Sequence, residues 1–252
     1  QIRPSSLVST IHKPMPQVTQ PISPPQANNT IVRSALIATG QTSRPIAGTF
    51  TVAGTGDSGG VTTEGTAEDI AVTLDSAISS VVEVGQPLEF ISPAGVSVIA
   101  RVRNRYAGSG TSLELSANES IPDGSTAVFP PVARIRQSAD INETVATTSF
   151  SSFDHAQSAV SIGEGTADGT FNGGYSYYDA FYETLAYAKD NTQKLYVERE
   201  LESPDSNVFS KGPILWGICV ATGIASPAAD GGEVQGNITV AFDSINRIAP
   251  QT

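Results

Sequence analysis

Three strings in this chain carry the residue types of an active site. Residues 56–60 spell Gly-Asp-Ser-Gly-Gly, the surroundings of the nucleophile in chymotrypsin-like proteases. Ser58 in that role needs a base to take its proton and a third group to orient the base. The chain has only 2 histidines. His12 lies in a proline-studded stretch without the Ala-Ala-His-Cys context, and His155 follows the serine, where that chain order puts nothing catalytic. The glycines are expected to serve a tight turn. Residues 54–59 also satisfy G-x-G-x-x-G after a strand candidate. A dinucleotide site needs its helix to begin at the last glycines, so that the N-terminus meets the pyrophosphate. Here the next periodic segment starts only after Thr62-Thr63-Glu64-Gly65. Asp154 beside His155 has the chemistry of an acid–base or metal pair, but nothing at ligand spacing joins it. The expectation is therefore no catalytic residue, no cofactor and no metal.

The charged residues are more informative. Arg101, Arg103 and Arg105 alternate and so share one face of a strand. Like charges on one face repel unless an acid or phosphate stands opposite. They read either as an edge strand blunted against aggregation or as a docking face for a partner. Glu198, Glu200 and Glu202 alternate around Arg199 and are expected to be solvated. The first 56 residues carry Arg3, Lys13, Arg33 and Arg44 and no acid, and no basic residue then appears before Arg101. With Pro4, Pro14, Pro16, Pro21, Pro24 and Pro25, residues 1–32 read as an extended basic arm. Arg3, Lys13, Arg33, Arg101, Arg103 and Arg105 are thus the candidate subunit-interaction residues. Cys219, within Ile214–Val220, is expected to be a buried small hydrophobe.

The elements that must position these residues follow from composition and period. Charged residues are 15% and aromatics 7% of 252, a mix that favours short strands joined by turns. The net charge of −11 argues against gripping nucleic acid, which takes Lys and Arg. No apolar run reaches the ~18 residues of a membrane span. Strands are expected at 30–38, 49–53, 88–91, 96–106, 112–116, 127–129, 132–137, 144–150, 195–200, 214–220 and 237–242. Ile70, Leu74, Ile78 and Val81 recur at helical spacing behind a capping box of Thr66 and Asp69, predicting a helix over 66–82. A second helix is predicted over 175–189, with Tyr178, Tyr182 and Leu185 as its stripe and Ser176 and Asp179 at its start. Residues 158–170 read as glycine-punctuated loop. The fold class is mainly β (α+β): an antiparallel sandwich or barrel-like body with two short amphipathic helices. Three parts are expected: the arm 1–32, a β-rich segment 33–131 with one helix, and a β domain 132–252 with the other.

From about Ala139 onward several segments follow one another in a telling order. The strand Glu143-Thr144-Val145-Ala146-Thr147-Thr148-Ser149 precedes a glycine loop ending Asp168-Gly169-Thr170-Phe171-Asn172-Gly173-Gly174. After these come the helix 175–189, the strand 194–200 and the segment 212–220. The chain closes on Gly236-Asn237-Ile238-Thr239-Val240-Ala241-Phe242. This layout resembles that of the tail tube proteins of long-tailed bacteriophages, and the resemblance implies a non-enzymatic virion protein whose sheets join edge to edge in rings, commonly hexameric. Those rings stack into a tube with an electronegative lumen for DNA. Its implied partners are itself and other tail proteins, with DNA as non-specific cargo and no membrane. The implied place is the virion tail, assembled in the host cytoplasm. Residues 47–130 read as an added β-rich segment. Two other classes fit the same composition: a capsid decoration or connector protein, and a secreted or surface adhesion module, to which the sequons at Asn28, Asn118, Asn142 and Asn237 speak.

Overall fold

The computed structural model describes residues 30–53, 60–76, 78–133, 138–151, 158–174, 179–201, 210–225 and 235–251. Among them the chain is mainly β, with one helix. The elements divide between a closed antiparallel barrel and a six-stranded antiparallel sheet.

The barrel is built from β2 (Gly48–Val52), β3 (Glu68–Ser76), β4 (Pro87–Ile91), β5 (Ser97–Val102), β6 (Ser112–Ala117) and β7 (Thr126–Phe129), in the order β2-β3-β6-β5-β4-β7. Period-two alternation fills it. Val98, Ala100 and Val102 of β5 and Leu113, Leu115 and Ala117 of β6 are buried, and their neighbours along the strand are not. Phe50, Phe90 and Phe129 are fully buried inside. The turn from β4 to β5 is Ser92-Pro93-Ala94-Gly95, as its composition suggests. Gly95 sits at φ +81°, a left-handed conformation that glycine adopts without steric cost.

The helix predicted over 66–82 is instead strand β3. Ile70 and Leu74 fit a helical stripe, but Val72 between them is buried too, and Asp69, Ala71, Thr73 and Asp75 face outward. That is a strand's alternation. Asp69 caps nothing; its carboxylate meets Arg103 at 3.2 Å.

The sheet runs β1-β10-β11-β12-β9-β8. Its strands are β1 (Ile31–Leu36), β8 (Ser138–Ser151), β9 (Ser158–Gly174), β10 (Leu195–Glu200), β11 (Ile214–Ala225) and β12 (Gln235–Ile248). Ile31 and Val32, counted with the arm in the sequence reading, belong to β1, whereas residues 1–29 lie outside the described residues. Val132, in a predicted strand over 132–137, forms an isolated bridge to Arg33, and 134–137 are not described. The glycine-rich stretch 158–170 is not loop but most of β9. At Gly169 a Cβ would lie 2.8 Å from Val240 Cγ2 on β12, so this glycine marks close packing inside a strand.

One face of the sheet is covered by helix α1 (Ala180–Asp190). Asp179 is its N-cap and accepts from the Phe181 N–H at 2.8 Å, satisfying an orphan donor of the first turn. The described helix starts at Ala180, and residues 175–178, with Ser176 of the predicted capping box and Tyr178 of the predicted stripe, lie outside the described residues. Its buried stripe is Phe181, Thr184, Leu185 and Ala188, with Tyr182 partly buried beside it. These pack on Val32, Leu36, Leu195, Val197, Phe171 and Val240. The opposite face carries Tyr196, which joins the barrel's core, with Trp216 and Ile218 packed against it. Tyr196 and Trp216 rings meet at 5.8 Å.

Candidate assembly interface

The predicted interaction residues fall into three groups. Arg3 and Lys13 lie outside the described residues. Arg33 points from β1 into the seam between sheet and barrel. Arg101, Arg103 and Arg105 lie on and just beyond β5. That strand is hydrogen-bonded on both sides, to β4 and β6, so blunting of an open edge does not explain them.

Each of the three meets an acid of its own chain. Arg101 reaches Glu183 of α1 at 2.5 Å and lies 5.2 Å from the centroid of the Tyr187 ring, tying barrel to helix. Arg103 pairs with Asp69 at 3.2 Å and Arg105 with Glu83 at 2.9 Å. Both guanidiniums remain more than half exposed, and pairs of that kind contribute about 0–1 kcal/mol.

The strongest electrostatic feature is one that local pattern misses. Glu198, expected in solvent, is 1% exposed, and Glu200 is also buried. Arg33 Nη1 donates to Glu198 at 2.5 Å and to Glu200 at 2.9 Å. Arg44, from the β1–β2 connection, reaches Glu198 at 2.6 Å and the Tyr196 hydroxyl at 3.0 Å, and that hydroxyl donates to Glu198. Burial pushes the Glu198 carboxyl upward. Hydrogen bonds from Arg44 and Tyr196 and the charges of Arg44 and Arg33 outweigh it and hold the carboxyl below its ordinary range. Burial, with the Glu198 charge, drives the Tyr196 phenol well above its usual value. The cluster holds the β1–β2 connection onto β10. Local pattern carries no signal for it: β10 is buried on both faces, and the partners of Glu198 come from β1 and the β1–β2 connection.

Gln86 completes the seam. Fully buried, it accepts from the Leu36 N–H at 2.6 Å and donates to Thr184 Oγ1 and to the Pro87 carbonyl, both at 2.9 Å. Beside it Gly85, at φ +86°, lies where a Cβ would meet the Tyr187 ring at 2.2 Å. Barrel, sheet and helix are thus bound by shared polar contacts as well as apolar ones.

The sheet's two edges differ. Outside β1 the chain returns as Pro131–Ala133: Ser34 N–H donates to the Pro131 carbonyl at 3.2 Å, and Ala133 N–H to the Val32 carbonyl at 2.9 Å. At the other edge β8 pairs with β9 along its whole length, and among the described residues nothing pairs with its outer side. β12 accompanies β9 only from Ala167 to Gly174. The remainder, Thr144–Ser151 against Ser158–Thr166, is a two-stranded ribbon about 25 Å long at ~3.3 Å per residue.

The protease-like and dinucleotide-like strings at 54–59, the pair Asp154 and His155, and His12 lie outside the described residues; Gly60, the last glycine of the protease-like string, is described. Among the described residues no group of three His, Cys, Asp or Glu is placed to hold a metal, and no helix is long and apolar enough to cross a membrane. A shallow cleft of about 390 Å³ at one barrel end brings together Glu64, Pro93, Glu119 and Pro122. Cys219 is fully buried, as expected, and burial, with the Asp243 charge, raises its thiol far above the usual range. No known family model matches the chain, and comparison with curated proteins found no match.

Proposed function

We propose that this chain is a virion structural protein of the tail tube type. Its copies join through sheet edges into rings, and the rings stack into a tube whose lumen repels DNA and lets it pass. The observation that carries this reading is the open 14-residue edge of β8. Exposed strand edges template pairing with other chains, and proteins that stay monomeric cover, shorten or charge them. Among the described residues this chain covers its β1 edge and leaves the outer side of β8 without a pairing strand. A two-stranded ribbon is marginal in water on its own, so the projecting part of β8–β9 gains most from a partner. With β1 covered, an open β8 edge that meets an unlike surface of the next copy makes a head-to-tail contact, which closes into rings or continues as filaments.

Two further features support the reading. The seam of Arg33, Arg44, Glu198, Gln86 and Arg101 makes the barrel a fixed part of each subunit, as a repeating assembly requires. The net charge of −11 suits a channel to which DNA does not adhere. On this reading the protein resides in the virion tail, is assembled in the host cytoplasm, contacts itself and neighbouring tail proteins, and catalyses nothing. Sedimentation velocity over a concentration series tests it. Fast-sedimenting polymers growing with concentration are expected, and one monomer-sized boundary throughout would contradict self-assembly.

A further inference from the structure

The open edge of β8 has a charge that restricts what pairs with it. Residues 138–174, spanning β8 and β9, contain Asp140, Glu143, Asp154, Glu164 and Asp168 and no lysine or arginine; Asp140 and Glu143 stand on β8 itself, and Glu143 is paired with Arg247 of β12. Two such edges laid together oppose like charges, so β8 pairing with β8 of another copy is disfavoured. A basic or neutral strand is favoured. The longest acid-free stretch of the chain is residues 1–56, and 29 of those residues precede the described part of the chain.

Within 1–29, prolines stand at 4, 14, 16, 21, 24 and 25. A ladder strand must donate its backbone N–H groups, which proline lacks. Ser5–Lys13 is the one proline-free run there longer than four residues, and it holds Val8, Thr10 and Ile11 with Lys13 at its end. At ~3.3 Å per residue it spans about 30 Å, within the roughly 46 Å of β8. The proline-rich stretch from Pro14 to Asn29 reaches roughly 50 Å at ~3.1 Å per residue. β1 and β8 lie at opposite edges of the sheet, whose faces carry α1 and the barrel, so a neighbouring copy's β8 is the more direct acceptor.

We propose that Ser5–Lys13 of one copy adds as a strand along β8 of a second copy, with Lys13 meeting the acids of the β8–β9 hairpin. This rests on the self-assembly reading and names the segment that makes the contact. Main-chain hydrogen bonds provide the attachment, and the acid-against-base pairing selects the partner and excludes β8 against β8.

The test uses the full chain as a mixture of unlabelled and 15N-labelled protein, assembled and then treated with a carbodiimide, a zero-length amine-to-carboxylate cross-linker. Lys13 is the only lysine before Lys189. The expected product joins Lys13 to Asp140, Glu143, Glu164 or Asp168 in mixed-isotope peptide pairs. Polymers that form without that product, or in which Lys13 is joined only within one copy or only to barrel acids, overturn the proposal and leave the self-assembly reading standing. A chain that stays monomeric at every concentration overturns both. The variant V8P, ahead of every described strand, removes one donor from the added strand. It is expected to raise the concentration needed for assembly about tenfold, the weight of one lost hydrogen bond with its strain. Assembly of V8P indistinguishable from the parent chain would overturn the strand addition.

Discussion

Replacing Glu198 by glutamine keeps the size of the side chain and removes its charge, isolating the ion cluster at the seam. Arg33 would retain Glu200 at 2.9 Å, while Arg44 would keep the Tyr196 hydroxyl at 3.0 Å in place of a carboxylate. Removing one partner of a fully buried ion pair costs about 3–5 kcal/mol. Here the Arg33 and Arg44 side chains are 16% and 30% exposed, so water recovers part of the loss, and about 2–3 kcal/mol is expected. For a chain of this size that lowers Tm by roughly 5–10 °C. The pH dependence has a definite sign. Glu198 is depressed below its reference value of 4.5, so its contribution is complete above that pH and is lost as pH falls through the folded value. Urea unfolding of E198Q and the parent chain at pH 7 and near pH 3 measures both effects. The gap should be wide at pH 7 and narrow in acid. A gap below about 0.5 kcal/mol at pH 7, or one that does not shrink in acid, refutes the reasoning.

Gly85→Ala drives a Cβ into the Tyr187 ring at a positive φ and should cost about 2–3 kcal/mol, read by thermal unfolding. Gln86→Leu leaves the buried Leu36 N–H without its acceptor and should cost about 1–3 kcal/mol, with faster hydrogen exchange at that amide. Cys219 should resist an aromatic disulfide reagent in the folded chain and react once the chain is unfolded in denaturant; rapid reaction of the native protein would contradict its burial.

What the sequence made legible is what neighbouring residues decide. The alternation in β5 and β6, the Pro-Ala-Gly turn after β4 and the body of α1 all follow from adjacent side chains. The errors arose where distant packing decides. Ile70 and Leu74 satisfy a helical and a strand period alike, and only the barrel interior shows that Val72 belongs with them. Gly169 resembles loop punctuation until β12 brings Val240 against it. Glu198, Glu200 and Glu202 read locally as one solvated face, yet Arg33, 165 residues away, and Arg44 meet Glu198 inside. Arg101, Arg103 and Arg105 were partly legible: their shared face was visible, but not the acids that Glu183, Asp69 and Glu83 provide from other elements. The open β8 edge had no local signal, because whether an edge is covered depends on where the whole chain goes.

Electron microscopy of the purified chain over a concentration series tests the central claim most directly. Self-assembly of the tail tube type predicts rings, and at higher concentration hollow tubes with a regular axial repeat and an open lumen. Dispersed monomers at every concentration, or solid filaments without a lumen, would contradict it.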